Sequence, residues 1–141
     1  MFGADGIHHI GIAVRDLDEA AERYALLIGA RERARDAAEA LGTAAAELET
    51  PSGPLLELVA PLGEETPVGK FLAKRGEGMH HVAYGVQDID AEVRRLLAAG
   101  VEMIDEEPRS GLFGHRVAFI HPDAAGGVLV ELVHTGGASH G

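Results

Sequence analysis

The stretch Met79-His80-His81-Val82-Ala83-Tyr84-Gly85-Val86-Gln87-Asp88-Ile89-Asp90 repeats an earlier one, Ile7-His8-His9-Ile10-Gly11-Ile12-Ala13-Val14-Arg15-Asp16-Leu17-Asp18. Each copy sets two adjacent histidines at the head of an apolar run and closes it with x-Asp-apolar-Asp, a pattern suited to a helix N-cap. The chain is therefore an internal duplication, and the fold is to be read as two versions of one module.

A second pair of segments agrees. Leu55-Leu56-Glu57-Leu58-Val59 lies near the end of the first half and Leu129-Val130-Glu131-Leu132-Val133 near the end of the second, each an apolar strand with one carboxylate in its middle. His9 and Glu57 are 48 residues apart, His81 and Glu131 50. Each half thus supplies one histidine near its start and one glutamate near its end.

At 141 residues the chain suits a single domain over 1–141, with internal modules at about 7–61 and 79–133. Neither half alone buries much apolar surface, so the halves are expected to share a core or a sheet. Hydrophobic content of 46% and charged content of 25% are those of an ordinary globular protein, and no apolar run nears the roughly 20 residues of a membrane span. No basic-then-apolar leader opens the sequence, which makes a cytoplasmic location the default expectation. With no cysteine, disulfides and thiolate ligands are excluded, so a metal would be held by imidazole and carboxylate. A formal charge of −11 argues against nucleic acid as partner, though not against a phosphorylated small ligand met by a local basic patch.

In chain order, residues 1–5 read as a frayed start and Ile7–Val14 as a strand covered on both faces. Asp16 or Asp18 opens a helix to about Ile28, stopped by Gly29. Arg31 to about Asp36 is a poor strand by composition, and Ala37–Leu41 reads equally as a helical turn or a loop. Thr43–Glu49 and Leu55–Pro61 form a hairpin about Pro51-Ser52-Gly53. The alanine run at 44–46 would favour helix, but the duplication requires strand. A linker helix covers Pro67–Arg75. The second half repeats the order: strand Met79–Val86, helix Asp88–Ala99, then strands Val101–Asp105, His115–Ile120 and Gly127–Val133. The tail from Gly136 reads as disordered. The fold class is α+β, two βαβββ modules.

Side chains alternate along a strand, so His9 shares a face with Gly11 and Ala13, and His81 with Ala83 and Gly85, small neighbours that leave room before each imidazole. Glu57 and Glu131 face away from the leucines and valines that flank them. If the halves pack as a pseudo-twofold pair, two histidines and two glutamates can line one concave surface. A buried carboxylate costs several kcal/mol unless compensated, and a divalent cation is the simplest compensator. Single strand histidines and glutamates are usually structural or wet; the recurrence of both at equivalent places in both halves is what favours a four-ligand metal site. His8 and His80 point the other way and are read as packing residues.

These residues resemble the vicinal oxygen chelate superfamily and, within it, the methylmalonyl-CoA epimerase family. The resemblance runs from Ile7 to Val133. It is carried by Ala60-Pro61-Leu62 with Thr66-Pro67-Val68-Gly69-Lys70-Phe71-Leu72, by Gly76-Glu77-Gly78-Met79-His80-His81, by Asp105-Glu106-Glu107-Pro108-Arg109, and by Phe119-Ile120-His121-Pro122 leading into Gly126-Gly127-Val128-Leu129-Val130-Glu131-Leu132. It implies paired βαβββ modules in a cupped mixed sheet around a metal. It implies too a 1,1-proton transfer that interconverts (2R)- and (2S)-methylmalonyl-CoA through a metal-stabilised enolate. His9, Glu57, His81 and Glu131 would be the ligands, Co²⁺ or Mn²⁺ the ion, Glu131 also a catalytic base, and a homodimer the assembly.

For the second base, the position that carries glutamate in some members falls on Ala45, which cannot transfer a proton; Glu47, two residues on and on the same strand face, is the alternative. Asp123 stands after His121-Pro122 where the family commonly has lysine. Lys70, Lys74, Arg109 and Arg116 are the cations available for the phosphates or carboxylate of an acyl-CoA. Two other readings use the same fold: a glyoxalase I-type lyase or isomerase acting on a thiol hemithioacetal, and a non-catalytic small-molecule-binding member.

Overall fold

A computed structural model describes residues 2–137; the expected disorder of the tail falls, for 138–141, outside the described residues. The chain forms two compact units, one of His9–His80, the other of the residues before His9 together with those from His81 onward.

The first unit holds a four-stranded sheet. Strand β1 (Ala4–Ala13) enters it at His9 and pairs in parallel with β4 (Leu55–Pro61), which is antiparallel to β3 (Thr43–Glu49), itself antiparallel to β2 (Arg31–Ala38). Helix α1 (Leu17–Ile28) follows β1. Of the two candidate caps Asp16 is the one used: its carboxylate accepts the Glu19 N–H at 2.9 Å, and Gly29 ends the helix in the left-handed region at φ 68°. One sheet face meets α1 through Val14, Ala46, Leu48, Leu58 and Ala60 around the fully buried Ala20. The alanine run does form a strand: Ala45 and Ala46 are both fully buried, on opposite faces, so small size matters there more than propensity.

Strand β2 reaches further than its composition suggested, to Ala38. It is the edge strand of this unit and wears its charges outward; Arg35 forks to Glu32 and Asp18, at 2.7 and 2.6 Å, pairs that keep the guanidinium protonated. Glu39–Leu41 is one 3₁₀ turn, resolving the open choice at 37–41. Helix α2 (Pro67–Arg75) starts with Thr66, whose hydroxyl accepts the Gly69 N–H at 3.1 Å, and Pro67 in the first turn.

In the second unit β5 (Gly78–Val86) contributes from His81 and pairs in parallel with β8 (Val130–His134); β8 and β7 (Arg116–Ile120) are antiparallel, as are β7 and the two-residue β6 (Arg109–Ser110). Helix α3 (Ile89–Ala98) is capped by Asp88, the counterpart of Asp16 in the duplication. Its core joins Val86, Ile89, Val93, Met103, Ala118 and Leu132.

Three further boundaries differ from the sequence reading. The chain start is not frayed from Gly3 on: the Gly3 N–H donates to Glu92 at 2.8 Å, and Asp5 belongs to β1 and accepts from the Thr135 hydroxyl at 2.9 Å. The Thr135 and Gln87 hydrogen bonds hold the Asp5 carboxyl below its usual pKa. Val101–Asp105 is not a strand but makes a single bridge, Met103 with Ile120. The consecutive N–H groups of Ile104 and Asp105 both turn to the Phe119 carbonyl, which a pleated ladder forbids, and the Asp105 carboxylate takes the Phe119 N–H at 2.9 Å in place of a backbone partner. Finally β8 begins at Val130 and not at Gly127, because Gly126 and Gly127, at φ 67° and 98°, make a turn.

Candidate functional site

In the first unit the register fixes which side chains share a face. Gly11 is the β1 partner of Glu57, and Glu47 is the β3 partner of the same residue. His9, Glu57 and Glu47 therefore lie on one face of the sheet, opposite to the α1 core. His9 and Glu57 are 3% and 5% exposed, and the imidazole Nε2 stands 3.2 Å from Glu57 Oε2. Glu47 is buried to 4% exposure, with Arg33 Nε 3.5 Å from its Oε1.

The second unit repeats the pair. Ala83 partners Glu131, so His81 is on the Glu131 face; His81 Nε2 lies 3.2 Å from Glu131 Oε1, both residues buried. The residue opposite Glu131 on β7 is Phe119, whose ring meets the His81 imidazole edge-on at 5.9 Å between centroids.

Do these pairs suit a divalent cation? Two donors each about 2.1 Å from an ion and about 90° apart lie about 3 Å from one another, close to the spacing found in both pairs. Burial removes water as an alternative partner, and Gly11 and Ala83, two residues on and on the same face of each strand, keep the space before each imidazole clear of bulk. The first unit adds a stronger argument, since Glu47 and Glu57 are buried carboxylates directly opposed across a strand pair, an arrangement that repels. The donor chemistry and the charge both fit a hard or borderline divalent ion.

The remaining sequence candidates are placed differently. Arg116 donates to Asp90 at 2.6 Å, which holds the Asp90 carboxyl below its ordinary pKa. Arg109 pairs with Asp105 at 3.1 Å and lies over the Phe119 ring at 5.8 Å. Lys70 is exposed on α2. Ala45 is fully buried on the Glu47 face, opposite Val59. His8 and His80 pack as expected, against the rings of His115 and Phe71, each at 5.0 Å. His121 is a turn residue whose Nδ1 accepts the Asp123 N–H at 3.1 Å. Sequence reading passed over Arg33, Phe119 and Arg15. The signal for Phe119 was available: its place opposite Glu131 is the place of Glu47 opposite Glu57. Arg33 sits where the β2–β3 register shifts between Glu32 and Ala34, an irregularity that no sequence pattern announces.

Comparison with known proteins follows the same line. The glyoxalase/bleomycin resistance protein/dioxygenase superfamily matches residues 8–119. An ethylmalonyl-CoA/methylmalonyl-CoA epimerase of Cereibacter sphaeroides is 38% identical, the match covering 89% of this chain and 95% of that one. The crystal structure of methylmalonyl-CoA epimerase from Mycobacterium tuberculosis is similar at a TM-score of 0.89 and 42% identity, over 93% of this chain and 88% of that one. A methylmalonyl-CoA epimerase in complex with methylmalonyl-CoA and NH4+ is similar at a TM-score of 0.89 and 39% identity, over 97% and 99%. The chain belongs to the glyoxalase/bleomycin resistance protein/dioxygenase superfamily and, within it, to the methylmalonyl-CoA epimerase family.

Proposed function

We propose that this chain interconverts (2R)- and (2S)-methylmalonyl-CoA by moving the C2 proton from one face of the carbon to the other, its two modules acting as one domain. The observation that carries the reading is the duplicated buried pair, His9 with Glu57 and His81 with Glu131, in a chain whose relatives include epimerases of this substrate. His9, Glu57, His81 and Glu131 are the ligands in this reading, and their nitrogen and carboxylate donors favour Co²⁺ or Mn²⁺. A bound divalent ion supplies Lewis-acid stabilisation of the negative charge that develops on the thioester oxygen.

The protein's own groups do the rest. Glu131 takes the C2 proton; the C–H electron pair spreads toward the thioester oxygen, and a proton returned to the opposite face restores C2 with inverted configuration and nothing consumed. Glu47 is the group we assign to that opposite face. It is the buried carboxylate next to Glu57, and Arg33 fixes its oxygen. Phe119, across from Glu131, walls the site and keeps water from the carbon. The assembly we expect is a homodimer, which sedimentation tests.

The activity is tested by NMR in D₂O with Mn²⁺-free, Co²⁺-loaded protein and methylmalonyl-CoA, following loss of the C2 proton. Exchange that disappears in Glu131→Ala supports the reading. Protein that holds the ion and exchanges nothing refutes it.

A further inference from the structure

Neither Arg116 nor Arg109 stands ready for the phosphates of a CoA ester, since each is already held by a carboxylate. A different cation does. A cavity of about 580 Å³ opens in the first unit where β1 and β4 end, walled by Pro61, Leu62, Leu72 and Ala73 and carrying two charged groups, Arg15 and Glu64. We infer that this cavity receives the phosphate-bearing end of the CoA ester, with the Arg15 guanidinium on its diphosphate. The inference rests on the acyl-CoA reading above.

Three observations support it. The first is position. Pro61 lies four residues beyond Glu57 on β4, so by strand alternation it shares the Glu57 face, and it lines the cavity. Four residues of strand span about 13 Å. The arm of a CoA ester from sulfur to the first phosphorus holds as many bonds as a little over four residues of extended chain, about 15 Å. A thioester beside His9 and Glu57 therefore has an arm long enough, when extended, to place its diphosphate at this distance.

The second is chemistry. The apolar wall suits the dimethyl-bearing arm, and the size is that of a pocket for a small organic ligand. A guanidinium at the far end is the group best matched to phosphate oxygens. Among the described residues Arg15 is held in no ion pair, whereas Arg116, Arg109 and Arg35 all are.

The third is construction. The Arg15 backbone is fixed from outside the cavity, its N–H donating to Glu77 Oε2 at 2.8 Å, so its side chain springs from an anchored point. The opposite wall is set by Gly69, where α2 lies so close to the loop that an added Cβ would stand 2.7 Å from the Glu64 carbonyl and strike that of Gly63. Gln87 holds the equivalent place in the second copy, where it is bonded to Asp5. The cation is thus a feature of one half only.

The test compares methylmalonyl-CoA with methylmalonyl-pantetheine, which has the same thioester and no phosphate, by C2 exchange in wild type, Arg15→Ala and Glu64→Gln. Arg15→Ala removes an exposed side chain and leaves the backbone bond to Glu77, so the fold survives. The expected result is a KM for the CoA ester raised about tenfold, with kcat and the pantetheine ester unaffected. Glu64→Gln, which removes a negative charge beside the phosphates, lowers the CoA-ester KM and again spares the pantetheine ester. Equal effects on both esters, or on neither, overturn the assignment. CoA itself is titrated into wild type and Arg15→Ala by calorimetry as a readout independent of turnover. If wild type exchanges neither ester, the activity is what fails, and weaker CoA binding by Arg15→Ala still upholds the subsite while equal binding overturns it.

Discussion

The opposed carboxylates of the first unit make a sharp prediction about Glu57→Gln. As direct partners on β3 and β4, Glu47 and Glu57 have Cβ atoms about 5 Å apart. Two full charges at about 5 Å and an effective dielectric near 20 repel by about 3 kcal/mol. Arg33 lies 3.5 Å from Glu47, but its side chain is half exposed, so it returns up to about 1 kcal/mol. Without a cation the pair thus costs the fold up to about 2 kcal/mol, less what the His9 imidazole, 3.2 Å from Glu57, returns. Glu57→Gln keeps the shape and an acceptor for His9 while removing one charge, so metal-free variant protein should melt higher than wild type, by up to about 6 °C for a chain of this size. Saturating Co²⁺ or Mn²⁺ should then reverse the order, because the ion stabilises the state that binds it more tightly. The assay is thermal unfolding of both proteins with chelator and with each metal. Glu47→Gln should give the same metal-free gain, and the double variant little more than either single one, since all three changes remove the same repulsion. A metal-free Glu57→Gln that melts lower than wild type would refute the reasoning, by showing that protein groups alone satisfy both charges.

Further outcomes are expected elsewhere. Glu47→Gln should still exchange the C2 proton of one epimer with solvent deuterium, through Glu131, while interconversion of the epimers falls at least about a hundredfold, read by chiral analysis of the thioester; equal losses of exchange and inversion would remove Glu47 from the second face. Asp90→Asn should be less stable than wild type at neutral pH by at most about 1 kcal/mol, the pair being partly exposed. Because Arg116 lowers the Asp90 pKa, this difference is fully present above the unfolded value of about 3.9 and closes as pH falls through the lower folded value; melting curves from pH 7 to 2 test the sign. Gly69→Ala should cost about 1–3 kcal/mol, since the new methyl meets backbone carbonyls that cannot turn aside, and denaturant titration measures it.

The parts of this protein legible in its sequence are those fixed by repetition and by local chemistry. The twin His-His strands, the Asp caps at 16 and 88 and the Glu-bearing strands recur, and repetition marks which of their polar residues hold a place set by the module. What the sequence hid was set by pairing. Val101–Asp105 has strand-like composition, yet Asp105 spends its carboxylate on the Phe119 N–H and ends the ladder early. The extension of β2 to Ala38 comes from its partner β3, not from its own residues. Arg116 looked available as a free cation because an ion pair between residues 26 apart, here with Asp90, leaves no local mark; Arg109 pairs with Asp105 only four residues away, but outside a helix that spacing does not announce a contact. Arg15 was passed over for the converse reason: its importance lies in a cavity that exists only once α2 has closed on the loop at 61–64.

The duplication also separates what the two modules share from what divides them. Both keep a histidine and a glutamate at 3.2 Å, in the same register relation and with the same small neighbours. At the one position directly across from that glutamate they part, a second carboxylate in the first module and a phenyl ring in the second. Each choice carries its own support: an arginine at the carboxylate in one case, and in the other a ring packed edge-on to the imidazole with Arg109 above it. A buried carboxylate beside another carboxylate is costly, and a ring there would have filled the same space at no electrostatic penalty, as the second module demonstrates. Stability alone therefore favours Phe at both positions. That the first module retains Glu47 against this cost argues that its charge is used, and in a reaction that must deliver a proton to each face of one carbon, a carboxylate in one module and an apolar wall in the other is the asymmetry the chemistry requires.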